Sequence, residues 1–127
     1  MFRLMTWLDP NFVPGWTTGA NILARDKSNY GFRRSMEFLS DGLNANPDSV
    51  EMLVEYGHLQ LNMGRDLSVD ERIFDRAVQT GRRKLKYLDE DEQAALEEAY
   101  RWLARCKRTL GKREEVEAVA AEGLKLY

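Results

Sequence analysis

The stretch from Asn46 to Arg65, NPDSVEMLVEYGHLQLNMGR, decides how this chain is expected to fold. Its apolar residues recur at helical spacing, and Gly57 lies in the middle of the apolar face that they form. A glycine inside a helix costs roughly 1 kcal/mol relative to alanine. The position therefore predicts either a weak helix or a neighbouring group that packs too closely to admit a side chain.

The composition is that of an ordinary globular domain. The chain has 127 residues, of which 31% are charged and 43% hydrophobic, and its net charge of -2 gives no general attraction to nucleic acid. No apolar run approaches the roughly 18 residues of a membrane span, and the opening MFRLMTWLDP lacks the apolar core of a signal peptide. These features predict a soluble, cytoplasmic segment, and leave open a larger, membrane-associated parent protein.

Apolar periodicity predicts six amphipathic helices with short polar joints, an all-α arrangement of antiparallel hairpins. Ser49 or Asp48 is expected to cap the third helix, and SVDE, Ser68 to Glu71, has the form of a capping box for the fourth. The fourth helix is predicted to continue toward Leu88.

Small residues recur at corresponding places in these helices. In the first helix of each pair, a bulky residue precedes a smaller one by four positions. These pairs are Trp16 with Ala20, Leu53 with Gly57, and Tyr100 with Ala104. The second helices carry Gly42, Gly81 and Gly123. Close packing between helices would explain all of these glycines together.

This order resembles the tetratricopeptide repeat (TPR), a helix-turn-helix unit of about 34 residues. The residues that carry the resemblance are Trp16 with Ala20, Tyr56-Gly57, the prolines Pro10 and Pro47, and the turns Gly64-Arg65 and Gly111-Lys112. It implies a right-handed superhelix with repeats at 12–46, 48–88 and 89–127, after the end of a preceding repeat at 1–9. The intervals from Ala20 to Gly57 and from Gly57 to Ala104, 37 and 47 residues, are longer than the family's. Apolar chain ends favour a segment of a larger array.

Catalytic chemistry has little support in the sequence. His58 and Cys106 are the only histidine and cysteine, and phosphate-loop and nucleophile-elbow motifs are absent. We therefore predict no enzyme activity, cofactor or metal. Glu55 and His58 have the E-x-x-H spacing of di-iron bundles, but with one histidine only a dimer could complete such a site. Cys106 is predicted to be a buried structural thiol.

The resemblance implies that the first helices line a concave surface on which partner peptides bind. The candidate peptide-binding residues are Asn21, Arg25, His58, Asn62, Arg101, Arg105 and Arg108. The last three residues, the arginine row, lie on one helix face and suit carboxylates, which predicts an acidic partner segment. Pairing with Glu97, Glu98 or Asp91 within the chain is the alternative. The clamp by which chaperone-binding members hold a C-terminal carboxylate is not reproduced.

The prediction is a non-catalytic protein-interaction module or scaffold without a small-molecule substrate. A competing hypothesis is a patch for nucleic acid or an anionic surface, formed by Arg82 to Lys86 with Arg101, Lys107, Arg108, Lys112 and Arg113. Aromatic residues are not interleaved with these basic residues, and the acidic run DEDE interrupts them. Homo-oligomerisation through the terminal helices is a third hypothesis.

Overall fold

The computed structural model describes residues 9, 11, 13–24, 29–63 and 66–126. Its helices are α1 (Val13–Ala24), α2 (Asn29–Ala45), α3 (Val50–Met63), α4 (Leu67–Arg83), α5 (Glu90–Thr109) and α6 (Arg113–Leu126), with a 3-10 turn at Leu85–Tyr87. None of the described residues lies in a strand. The prediction of an all-α chain with six helices is therefore confirmed within this part of the sequence.

Of the two capping predictions, the one for α3 is confirmed and the one for α4 is wrong. Ser49 caps α3, because its hydroxyl oxygen accepts a hydrogen bond of 3.3 Å from the backbone N–H of Met52. The predicted Ser68 cap of α4 is wrong. The helix begins at Leu67, and the carboxylate of Asp66 accepts from the backbone N–H of Ser68 at 2.9 Å. Aspartate is an equally good N-cap residue, and here it lies two positions earlier in the chain.

The end of α4 also differs from its prediction. The helix ends at Arg83, and the 3-10 turn follows instead of further α-helix. Leu88 then adopts extended backbone, and its side chain is buried in the core. Asp89 caps α5 by accepting a hydrogen bond of 2.8 Å from the backbone N–H of Glu92. The chain thus leaves the helix early because Leu88 and Asp89 have separate packing and capping partners.

Helix α3 is the central element of the fold. It packs against α4, which follows it, and also contacts α1, α2 and α5. Two hydrophobic clusters meet at this helix. It contributes Val50, Leu53 and Val54 to the cluster shared with α4 and α5, and Met52 and Leu59 to the cluster shared with α1 and α2. The helix α3 therefore lies between the two clusters, in contact with α1 on one side and with α5 on the other.

The close approach of a neighbouring group, predicted from the position of Gly57, is confirmed. A Cβ atom at this glycine would lie 2.7 Å from Cζ of Phe74, a fully buried residue of α4. The approaching group is the ring of a residue on the facing helix of the hairpin, as the sequence pattern predicted. Gly42 and Gly81 are equally crowded, by Trp16 with Met52 and by Leu96. Gly123 is different, because a Cβ there would make an ordinary contact of 3.4 Å with Tyr100.

An ion-pair network centred on the buried Glu71 and Lys107 joins the last three helices. Lys107 of α5 donates hydrogen bonds of 3.0 Å to Glu71 of α4 and to Glu115 of α6. Lys112, in the turn before α6, donates to both carboxylate oxygens of Glu71 at 2.8 and 3.1 Å. The bonds from Lys112 and Lys107 outweigh burial and hold the pKa of Glu71 below its usual value. None of the described helices is both long and apolar enough to cross a membrane.

Replacing Gly57 tests the packing of α3 against α4. We expect Gly57→Leu to lower the free energy of unfolding by about 1–3 kcal/mol or more, because the leucine must displace the buried ring of Phe74. Chemical denaturation monitored by circular dichroism measures this change.

Gly123→Ala is the matched control, since its new methyl group has room. It should be neutral or stabilise the protein by up to about 1 kcal/mol through the higher helix propensity of alanine. If Gly57→Leu is as stable as the wild type, Phe74 does not pack on Gly57.

Candidate functional site

Two adjacent cavities open along the surface where α1, α3 and α5 lie side by side. The larger, of about 520 Å³, lies among the starts of α1 and α5 and the turn between α2 and α3. The smaller, of about 230 Å³, lies among α1, α3 and α5 themselves. Both are lined by Glu51 and Asp91, so they adjoin each other. We call the smaller cavity the carboxylate groove, lined by Thr17, Glu51, Val54, Glu55, Asp91, Ala94, Ala95 and Glu98.

The groove has an apolar floor and acidic walls. Val54 and Ala95 are buried members of the hydrophobic core. Glu51 and Glu55 are one helical turn apart on α3, and Asp91 and Glu98 are two turns apart on α5. Because α3 and α5 are neighbours, these four carboxylates face one another across a narrow surface, and the groove is a region of negative potential.

Two of these carboxylates have raised pKa values. Burial, followed by the charges of Asp89 and Asp91, raises the pKa of Glu51 above its ordinary value. Burial also raises the pKa of Glu55; His58 opposes this shift, and Glu98 adds to it. Both groups therefore favour protonation more than an isolated glutamate does.

The carboxylates of Glu51, Glu55 and Asp91 form no ion pair with another residue that the structure describes. Within the described part of the chain, none of the ion pairs or side-chain hydrogen bonds involves these three side chains. Glu51 and Glu55 have thus lost part of their hydration without gaining an ion-pair partner among the described residues.

His58 lies at one end of the groove, within an aromatic cluster. Its Nε2 atom is 3.2 Å from Oε1 of Glu98, an ion-pair distance, although the ring is not oriented for a hydrogen bond to it. The centroid of the imidazole ring lies 5.3 Å from the ring centroid of Trp102 and 5.8 Å from that of Phe74. His58 is half-buried, so its position is fixed by packing as well as by charge.

The arginine row lies further along α5, outside both cavities. Arg101, Arg105 and Arg108 are exposed, and the guanidinium carbon of Arg105 lies 5.0 Å from the ring centroid of Trp102, at cation–π distance. None of the three forms an ion pair with another described residue. The alternative that they pair with Glu97, Glu98 or Asp91 is therefore not observed.

The structure describes less about the three remaining candidate residues, Asn21, Arg25 and Asn62. Asn62 is exposed near the end of α3, and Asn21 lies on α1. Arg25 lies outside the described residues. The structure thus brings both His58 and Arg105 to Trp102, and His58 also lies beside Glu98 of the acidic groove, which the sequence analysis did not predict.

One set of oxygen ligands meets the spacing for a cation among the described residues. Carboxylate oxygens of Glu51, Asp89 and Asp91 lie within 4.8 Å of one another. Capping of α5 explains the position of Asp89, and acidic groups in a first helical turn are expected from the helix dipole. We therefore assign no metal site. Glu55 and His58, the E-x-x-H pair, do not belong to this set.

Cys106 is buried, as predicted. Burial, with smaller effects of Asp70 and Glu71, raises the pKa of its thiol to about 11. A thiol in this environment is a poor nucleophile, because the thiolate is the reactive form.

No protein-family model matches this chain, and no curated protein sequence matches it significantly. The TPR resemblance therefore stays a prediction drawn from the chain's own residues.

The acidic groove can be tested through the pKa of Glu51. We expect Asp91→Asn to lower this pKa toward its ordinary value of 4.5, because the substitution removes a nearby negative charge. Side-chain carboxyl 13C shifts measured during an NMR pH titration report the change. Glu97→Gln is the control, since Glu97 is an exposed carboxylate of α5 that does not line the groove. Equal shifts in the two variants would contradict the assigned geometry.

Proposed function

We propose that this chain is a non-catalytic protein-interaction module that binds a peptide segment of a partner protein along α1, α3 and α5. The observation that carries the proposal is the pair of adjoining cavities on this surface. Their walls come from three separate helices, so a bound segment would cross the helices and contact each in turn.

The proposal includes a TPR-like superhelix. Its repeats would be the hairpins α1–α2, α3–α4 and α5–α6, within residues 12–46, 48–88 and 89–127. Contacts of α3 with both α1 and α5 support this arrangement, because the first helices of stacked hairpins are then neighbours. The arrangement is further supported by the crowding at Gly42, Gly57 and Gly81. Each of these glycines leaves space for a bulky side chain from an adjacent helix.

The arginine row supports contact with acidic residues of the partner. Its guanidinium groups are exposed and without ion pairs among the described residues, so they could donate paired hydrogen bonds to carboxylates. Trp102 orients Arg105 through the cation–π contact and reduces the conformational entropy that binding would cost.

Binding to nucleic acid or an anionic surface has weaker support. Many basic side chains of the second half already pair within the chain. Arg82 pairs with Glu122 at 2.6 Å, Arg83 with Asp48 at 3.6 Å, and Lys84 with Glu92 at 2.8 Å. Lys107 and Lys112 both pair with Glu71. A polyanion would have to displace these carboxylates, which reduces the gain from each contact.

Obstructing the surface tests the proposed function. Peptides are first selected from a random displayed library on the wild-type protein, and their affinities are measured by calorimetry. Ala94 lines the groove and is exposed. We expect Ala94→Trp to weaken the selected peptides by about tenfold or more, because the indole ring would occupy the space that they need.

Ala118→Trp is the matched control, an equal substitution at an exposed position of α6. It should leave affinity within about twofold of the wild type. If Ala94→Trp leaves the affinities unchanged, or if both variants lose the same amount, peptides do not bind on the surface of α1, α3 and α5.

A further inference from the structure

We propose that α6 is a detachable helix, which ion pairs hold on α4 and α5 and which opens as one unit while α3, α4 and α5 stay folded. Salt screens ion pairs between exposed groups. The population of the open state therefore increases with ionic strength. This conformational device lies outside the surface of α1, α3 and α5 and does not depend on the proposed binding function.

The apolar attachment of α6 is small. None of its described residues, Arg113–Leu126, is buried, whereas α4 and α5 bury large side chains such as Phe74 and Leu103. Leu124 has 77% of its surface exposed. Most helical stability in proteins comes from packing of an apolar face, so α6 gains less from packing than its neighbours do.

The inner face of α6 carries carboxylates among its apolar residues. Val119 and Leu126 are partly buried against the core. Glu115 and Glu122 have the same helical phase, at spacings of three and four residues from these apolar positions. Both carboxylates have partners on other helices, so charge replaces apolar contact at two of the four positions.

The attachment near the start of α6 can be lost at little cost. Glu115 accepts a hydrogen bond of 3.0 Å from Lys107 of α5, and the Glu115 side chain is about half exposed. Lys107 also donates to Glu71 of α4 at 3.0 Å, and this bond does not involve α6. When α6 opens, Lys107 and Glu71 keep each other as partners. The opening therefore leaves no buried charge unpaired, which would otherwise be expensive.

The attachment near the end of α6 depends on Glu122. Its Oε1 atom lies 2.6 Å from Nη1 of Arg82 on α4 and accepts a hydrogen bond of 2.9 Å from the hydroxyl of Tyr100 on α5. The side chains of Arg82 and Glu122 are both partly exposed to solvent. Salt therefore weakens this attachment, because solvent-exposed pairs are screened more strongly than buried ones.

The turn before α6 is suited to act as its pivot. Gly111 has a φ of 80°, and a Cβ atom placed there would meet no neighbour within 4 Å. The backbone at this position is thus free of packing contacts that would resist a change in direction. Lys112 follows it and binds Glu71 of α4 through both carboxylate oxygens. This bond can hold the turn in place while the helix beyond it moves away.

Native-state amide hydrogen exchange, followed by NMR on the full chain, tests the proposal. We expect the amides of residues 118–123 to exchange at one common opening rate, roughly a hundredfold or more faster than the slowest amides of α3. Relative to α3, their exchange should accelerate about threefold or more when NaCl is raised from about 0.05 M to about 0.5 M. The variant Glu115→Gln, Glu122→Gln should accelerate it about threefold to tenfold, as the loss of two partly exposed ion pairs requires.

Glu114→Gln, Glu117→Gln is the matched control on the same helix. It removes the same charge from exposed positions, and Glu114, like Glu115, lies in the first turn. This variant should leave the exchange of α6 within about twofold of the wild type. Equal acceleration in the two variants, no effect of salt, or equal exchange of α6 and α3 would overturn the proposal. Exchange that rises gradually toward the end of the helix would also overturn it, because fraying would then explain the mobility.

Discussion

The contact between the ring of Phe74 and the backbone of Gly57 is the constraint on which the rest of this structure depends. The missing side chain at Gly57 gives the ring its place and lets α4 pack tightly on α3. The same ring stacks on Trp102 of α5, with centroids 6.2 Å apart, and contacts His58. One buried side chain thus joins α3, α4 and α5. This packing positions Glu51 and Glu55 of α3 beside α5, where they line the carboxylate groove.

Helix periodicity and glycine placement were sufficient to predict much of the fold. Six helices follow from apolar spacing, and the crowding at Gly57 follows from the cost of an otherwise unexplained glycine. The wrong predictions concern residues that carry the same sequence signal but differ in their contacts. Asp66 and Ser68 are both good caps, and the sequence pattern alone favoured the wrong one. Gly123 shares the spacing of Gly42 and Gly81 but not their crowding, because its nearest neighbour, the side chain of Tyr100 on α5, lies at ordinary contact distance from the Cβ position.

The sequence predicted only part of the candidate site, because the charge of the groove depends on how closely two helices approach each other. Arg101, Arg105 and Arg108 lie on one helix, so their common face could be derived from spacing. The groove needs carboxylates from α3 and α5, and its charge depends on the distance between those helices. Glu98 belongs to a charge-rich helix face that predicts an ordinary solvated surface, yet it lies 3.2 Å from His58. Regularly spaced carboxylates on neighbouring first helices would have been the signal to follow.

The central claim is that α1, α3 and α5 together form the binding surface of an interaction module. Amide 1H–15N shifts of the labelled protein, recorded while a library-selected peptide is added, test it most directly. The account predicts that the largest changes fall along α1, α3 and α5, including Ala94 and His58, and cross from one helix to the next. Changes concentrated on α2, α4 and α6 would contradict it, because the partner would then bind the opposite side of the hairpins.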